Sequence, residues 1–328
     1  MKQGMIIMKS KPKRKSISYA RYGYYFCIPF VLAFLVFSLY PIVYTAVIGF
    51  TNLRGIMTTS YNFVSPPFQN FSDMFKNQTF ITSLKNTGFI WICNFIPQMV
   101  LALLLTAWFT NQRTKVRGQG AFKVLFYMPN IITAATVGML FSHLIGYPVG
   151  PVNDLLQQMG IIVNPVNFPL QKGTAQGVVA FIQFWMWYGS TMIVLIAGVM
   201  GINPALFEAA SIDGATGVQT FFRVTLPMLR TILLYTLVTS LVGGLNMFDI
   251  PWMFLNGGPD SATTTVSVFI YQQAFGGNYL FNRAAAASMI LFVIIAILSG
   301  ILFYIMRDKD AALAKKQAKA ARRRGNLA

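Results

Sequence analysis

The stretch EAASIDGATGVQTFFRVTLP, running from Glu208 to Pro227, is the most polar interior segment of an otherwise apolar chain. Its helix starts one turn earlier, within INPALF. Asn203 is a good N-cap, because its side-chain oxygen can accept from an otherwise unsatisfied backbone N–H. Pro204 suits the first helical position, where its missing N–H costs nothing. Glu208 is expected toward the positive end of this short helix, a favourable place for a carboxylate. Gly214 supplies the stop. Ala209 and Ala210 give one side a low profile that another protein surface can approach closely. After Gly217, VQTFFRVTLP predicts a second short helix, with Pro227 opening the apolar run beyond it. The expected product is a stiff helix-turn-helix knob over 201–227.

The surrounding chain is built for lipid. Of its 328 residues 55% are hydrophobic and only 10% charged, with a mean hydropathy of +0.57. A soluble domain carries about 25% charged residues. A hydrocarbon core about 30 Å thick needs around 20 apolar residues per helix. Six runs qualify, at 24–50, 87–109, 124–145, 175–200, 228–248 and 285–306. The first is too long for a signal-peptide core and lacks a convincing small-x-small cleavage site, so it reads as an uncleaved span. The prediction is an all-α integral membrane protein: a basic N-terminal segment 1–23, six transmembrane helices within 24–306, and a basic tail 307–328.

The net charge of +18 is distributed to match. KSKPKRK (Lys9 to Lys15), RTKVRGQGAFK (Arg113 to Lys123) and KKQAKAARRR (Lys315 to Arg324) flank apolar runs. Cytoplasmic membrane edges look like this, and no nucleic-acid partner is expected. With a cytoplasmic N-terminus, twenty-one Lys and Arg fall inside, against Arg54, Lys76, Lys85, Lys172 and Arg283 outside. Both termini are therefore expected in the cytoplasm. The outer loops 51–86, 146–174 and 249–283 are rich in Asn, Gly, Pro and aromatics. Those aromatics serve either interfacial anchoring or contact with an external partner.

Cys27 and Cys93 lie inside apolar runs without disulfide or metal-ligand spacing, and are expected buried in helix packing. The one histidine, His143, makes neither a triad nor a metal site. No G-x-x-x-x-G-K-[ST] phosphate cradle occurs. Asp73, Asp154, Asp249 and Asp260 fall in or beside outer loops, and Glu208, Asp213, Asp308 and Asp310 on the cytoplasmic side. None is at mid-membrane, where a proton-coupled carrier needs an ionisable relay. Active transport would have to draw its energy from another subunit. A membrane enzyme lacks any nucleophile, base or metal constellation. With no fixed cation in the span interiors, a neutral, hydroxyl-rich or apolar solute fits better than an anion.

Glu208, Ala209, Ala210 and Gly214, followed nine residues later by Val224, Thr225, Leu226 and Pro227, resemble a family signature. It is the E-A-A, three residues, Gly, nine residues, Ile-x-Leu-Pro motif of permease subunits of binding-protein-dependent ABC importers. The one departure is Val224 for Ile. The resemblance implies a type I ABC importer permease fold. It also implies that 201–227, with Glu208, Ala209, Ala210, Asp213, Gly214, Leu226 and Pro227, is a coupling helix docking on an ATP-hydrolysing subunit. NMFDIPWMFLNGGPDSATTTVSVFIYQQAF (Asn246 to Phe275) is similar to carbohydrate-importer permeases of the maltose and glycerol-phosphate first-subunit type. YPIVYTAVIGFTN and FYMPNIIT agree with it. The implied partners are a second homologous permease, two ATP-binding subunits holding ATP and Mg, an extracytoplasmic solute-binding protein, membrane lipid and a sugar substrate. The chain itself would bind no cofactor or metal.

In the fourth run, Gln183, Met186, Trp187 and Ser190 fall at helical spacing on one face, as do Ser240, Gly243, Gly244 and Met247 in the fifth. By resemblance these positions face the transport path, with Asn246 beside them. The match is positional rather than chemical. Trp185, Trp187 and Tyr188 either stack on sugar faces or serve packing, and Gly243 and Gly244 either allow close helix packing or meet the sugar. Gln183 is costly in lipid unless it is paired or faces a path. Within the same resemblance, import of a glycerol-phosphate or polyol stands as the alternative. An ATP-independent channel or carrier is the rival of a different class.

Overall fold

A computed structural model describes residues 20–306, apart from 57, 59, 112–116 and 278. The basic clusters 9–15 and 315–324, with Arg113 and Lys115, lie outside the described residues. The chain divides into two units, 1–47 and 48–328.

The first unit contains α1 (Ala20–Phe34), a π-helical turn (Leu35–Leu39) and α2 (Tyr40–Ile48), which ends at the boundary. The hydrogen-bond ladder slips at the π turn, where Tyr40 N–H donates to the Leu35 carbonyl. Pro41, the next residue, has no N–H to continue it. Residues 22–48 are apolar enough to cross a membrane, and most of their side chains are exposed.

The second unit holds α3 (Gln69–Lys76), α4 (Gln78–Phe109), α5 (Gln119–Ile131), α6 (Ala134–Leu144), α7 (Pro151–Gln158) and α8 (Lys172–Met200). There follow α9 (Pro204–Ile212), α10 (Gly217–Thr220), a π turn (Phe221–Thr225), α11 (Leu226–Met228) and α12 (Arg230–Leu245). Last come α13 (Asp249–Leu255), α14 (Val266–Phe275) and α15 (Phe281–Met306). Four more helical stretches, 78–109, 172–200, 230–255 and 281–306, are long and apolar enough to span. The span expected at 87–109 starts earlier, at Gln78, because the Asn77 side chain accepts from Phe80 N–H and caps α4 there.

The span expected at 124–145 is not one helix. It is α5 and α6, bent by 92° at their junction, and supplies a sixth crossing only as a broken pair. The residues MPNIIT explain the break. Pro129 withdraws an N–H, Ile132 is extended, and the Thr133 side chain accepts from Thr136 N–H to start α6 afresh. The expected burial of Cys27 and Cys93 is also corrected, since both are exposed on helix surfaces. An apolar run specifies a helix but not which of its faces packs inward.

The α4–α8 pair is the most extensive helix contact, with α5 packed on α8 and α12 against α15 and α4. Lipid tails are as apolar as leucine, so close backbone approach and hydrogen bonds hold spans together. At Gly189 of α8 a Cβ would stand 2.0 Å from the Phe126 carbonyl oxygen of α5. At Gly244 of α12 it would stand 1.9 Å from Cδ1 of Trp91 on α4, whose Nε1 donates to the Ser240 carbonyl at 3.1 Å. Gly243, its neighbour, faces nothing within 4 Å.

Beyond α13 the backbone turns through Asn256, Gly257, Asp260 and Ser261, all at positive φ. Buried amides hold this turn. Asn86 Nδ2 donates to the Ser261 and Thr264 carbonyls at 2.7 and 3.2 Å. Gln176 Nε2 donates to Asn86 Oδ1 at 2.9 Å and to the Ala262 carbonyl at 2.7 Å. Thr87 Oγ1 accepts from Val266 N–H at 2.9 Å.

These glycine contacts predict a graded outcome. Gly189→Ala and Gly244→Ala should each destabilise the purified protein by roughly 1–3 kcal/mol through overpacking. Gly243→Ala should be near neutral. Thermal unfolding in detergent measures all three, and equal losses would mean that glycine contacts do not set the packing.

Candidate functional site

A cavity of about 500 Å³ opens between α4, α8 and α12. That lies within the roughly 300–1,000 Å³ typical of small-molecule sites. All nine residues singled out on the two helical faces line it: Gln183, Met186, Trp187, Ser190, Ser240, Gly243, Gly244, Asn246 and Met247. Asn94 and Gln98 of α4 contribute, as do Thr191, Tyr235, Thr236 and Thr239, with Phe248, Asp249 and Ile250 also in the wall.

The geometry separates residues that sequence spacing could not. Gly244 serves packing against Trp91, whereas Gly243 leaves open space. Trp185 meets Phe141 edge-on at 5.7 Å, and Tyr188 packs on Phe126 and Phe184. Trp187 is half-exposed at the cavity wall and meets no other ring among the described residues. Gln98 Nε2 donates to Thr191 Oγ1 at 2.7 Å, and Asn94 Nδ2 to the Ile90 carbonyl at 3.1 Å. The Gln183 side-chain amide, by contrast, makes no hydrogen bond with another described residue, although the residue is only 8% exposed. Its polar atoms are not buried, so they open onto the cavity, where water or a ligand can satisfy them. The wall therefore offers amides, hydroxyls and an aromatic face, a set suited to polyhydroxylated molecules.

Sequence reasoning missed Asn94 and Gln98. Their signal was legible, as two amides at i and i+4 inside an apolar run. The same holds for Thr236, one turn before Ser240.

The loop joining α8 to α12 follows its local rules closely. Asn203 Oδ1 accepts from Ala205 N–H at 3.1 Å, and Pro204 is the first residue of α9. Gly214 adopts φ +73°, with Gly214 N–H on the Ser211 carbonyl and Ala215 N–H on the Ala210 carbonyl. This is a Schellman stop. A reciprocal capping box, Thr216 with Gln219, then starts α10, a T-x-x-Q signal that the sequence reading passed over. One expectation fails. Glu208 is the fifth of nine residues in α9, past the first turn, so its carboxylate gains little from the helix start.

Glu208, Ala209, Asp213, Gly214 and Pro227 are exposed, Leu226 is partly buried and Ala210 is buried. Ile212 is 86% exposed, with Val218 and Phe222 also outward, which gives the knob an apolar outer surface. Its inner side, through Phe207, Ser211 and Phe221, meets Ala107 and Thr110 at the end of α4 across a small crevice. The two helices that carry most of the cavity wall are thus the two this knob connects.

Known proteins resemble this chain in sequence and fold. The family model described as "Binding-protein-dependent transport system inner membrane component" matches residues 86–309. The lactose transport system permease protein LacF of Rhizobium radiobacter is 29% identical over 88% of this chain and 94% of its own length. The arabinooligosaccharides transport system permease protein AraP of Bacillus subtilis is 29% identical over 84% of this chain and 85% of its own. Among solved structures, a bacterial alginate ABC transporter in complex with an alginate pentasaccharide-bound periplasmic protein matches with a TM-score of 0.73. Its identity is 25%, over 88% of this chain and 96% of that one. The fold is the type I importer permease fold, and the chain is a multi-pass membrane protein of the inner membrane component family of binding-protein-dependent transport systems.

Proposed function

We propose that this chain is one of two permease subunits of an ATP-driven importer that moves an oligosaccharide or related neutral sugar across the cell membrane by alternating access. One observation carries the reading: α8 and α12 form most of the cavity wall and are joined by the exposed knob. A displacement of the knob would move the walls as rigid bodies. The chain transports and does not catalyse. ATP and Mg are held by two partner ATPase subunits, which dock on Ile212, Val218 and Phe222 around Glu208 and Asp213. A second homologous permease completes the path, and an extracytoplasmic solute-binding protein delivers the sugar. Both termini face the cytoplasm.

The sugar class draws on the cavity's amides, hydroxyls and Trp187, and on relatives named for lactose and arabinooligosaccharide transport. Within this reading, Gln183 supplies a free amide to sugar hydroxyls and Gly243 leaves the room a pyranose needs.

The test is ATPase activity of the co-expressed complex in lipid, with binding protein loaded in turn with neutral oligosaccharides. Stimulation by at least one loaded sugar is expected. Failure of any ATPase subunit to associate would overturn the reading.

Gly214 gives a second check. Any side chain there is forced into the left-handed region, at about 1–2 kcal/mol, while open space surrounds the site. Gly214→Leu should therefore leave the chain in the membrane but uncouple ATP hydrolysis from uptake or block ATPase assembly. Normal uptake by that variant would refute the role assigned to the knob.

A further inference from the structure

The cavity's fixed charge comes from one position. No Lys, Arg or His lines it among the described residues, and Asp249 is its one carboxylate. Asp249 is exposed, and its side chain makes no ion pair or hydrogen bond with another described residue. An acid at a helix start often serves the helix itself. Here α13 has seven residues and is anchored by buried Ile250, Pro251 and Phe254, so packing already holds it. The carboxylate belongs to the cavity wall, next along the chain to Phe248.

We propose that Asp249 is the charge-selecting residue of the transport path, admitting neutral or amine-bearing saccharides and opposing uronates and phosphate esters. The proposal rests on reading the cavity as that path. The low-dielectric protein around a cleft focuses the field of a single charge, and no cation among the described residues of the wall offsets it. An entering carboxylate or phosphate meets like charge and finds no Arg or Lys to pair with among the described residues of this chain's wall. An ammonium group finds a free counter-ion, and a neutral sugar finds an acceptor for its hydroxyls. Fold likeness to an importer of the acidic polysaccharide alginate thus does not extend to the charge of what passes here.

The experiment reads the potential of the cavity directly. The exposed Cys27 and Cys93 are first replaced by serine. A single thiol is then introduced as Gly243→Cys, where a side chain meets open space, and as Ser240→Cys in a second variant. In the assembled complex in lipid, modification rates are measured with cationic trimethylammonium-ethyl and anionic sulfonatoethyl methanethiosulfonate, each normalised to a free thiol. The cationic reagent should be favoured by about five-fold, the order expected when one carboxylate acts with opposite sign on the two reagent charges. Asp249→Asn should bring the ratio close to one, and Asp249→Glu should restore it. An unchanged ratio in Asp249→Asn, a preference for the anionic reagent, or unreactive thiols at both positions would overturn the proposal. These rates need no sugar. Failure of the importer reading would appear separately, as absent ATPase stimulation with the reagent ratio intact.

Discussion

Buried backbone that leaves the helical ladder must find its hydrogen bonds within the protein, because no water reaches it. The rest of the second unit depends on how this chain meets that demand beyond α13. The turn from Asn256 to Ser261 is irregular and partly left-handed, and the carbonyls at its end, those of Ser261, Ala262 and Thr264, are claimed by Asn86 of α4 and Gln176 of α8. Those two amides also bond each other at 2.9 Å. Turn and helix pair therefore fix one another, and the Met247–Ile250 rim of the cavity hangs from that junction, with Thr265 Oγ1 donating to the Met247 carbonyl at 2.8 Å.

Away from this anchored end, the two cavity helices are connected through α9 and α10. Both ends are stiff for local reasons: buried amides at one, a Schellman stop and a capping box at the other. Between them lies a cavity wall of small and polar groups around Gly243 and Ser240. A stiff connector joined to an anchored pair transmits motion instead of absorbing it. The knob itself presents an exposed apolar surface, led by Ile212.

The interior chemistry is equally lopsided. Amides and hydroxyls gather on α4, α8 and α12, one carboxylate sits at the rim, and no cation joins them among the described residues. Selection by shape and hydroxyl count suits such a wall.

The sequence by itself determined the membrane class, because a hydropathy of +0.57 and six long apolar runs are properties of composition and order. It determined the knob as well, since Asn203, Pro204 and Gly214 act on their own few residues. What the chain does at a distance was not legible. Gly243 and Gly244 are identical in sequence terms, yet one meets Trp91 and the other open space. Trp187 differs from Trp185 only in which neighbours fold back toward it. The break between α5 and α6 was written in Pro129 and Thr133 but hidden by the hydropathy that continues across it. Capping, turn chemistry and apolar length are local and survive in one dimension. A cavity is the space left when several helices stop short of one another, and only their packing decides where that space falls.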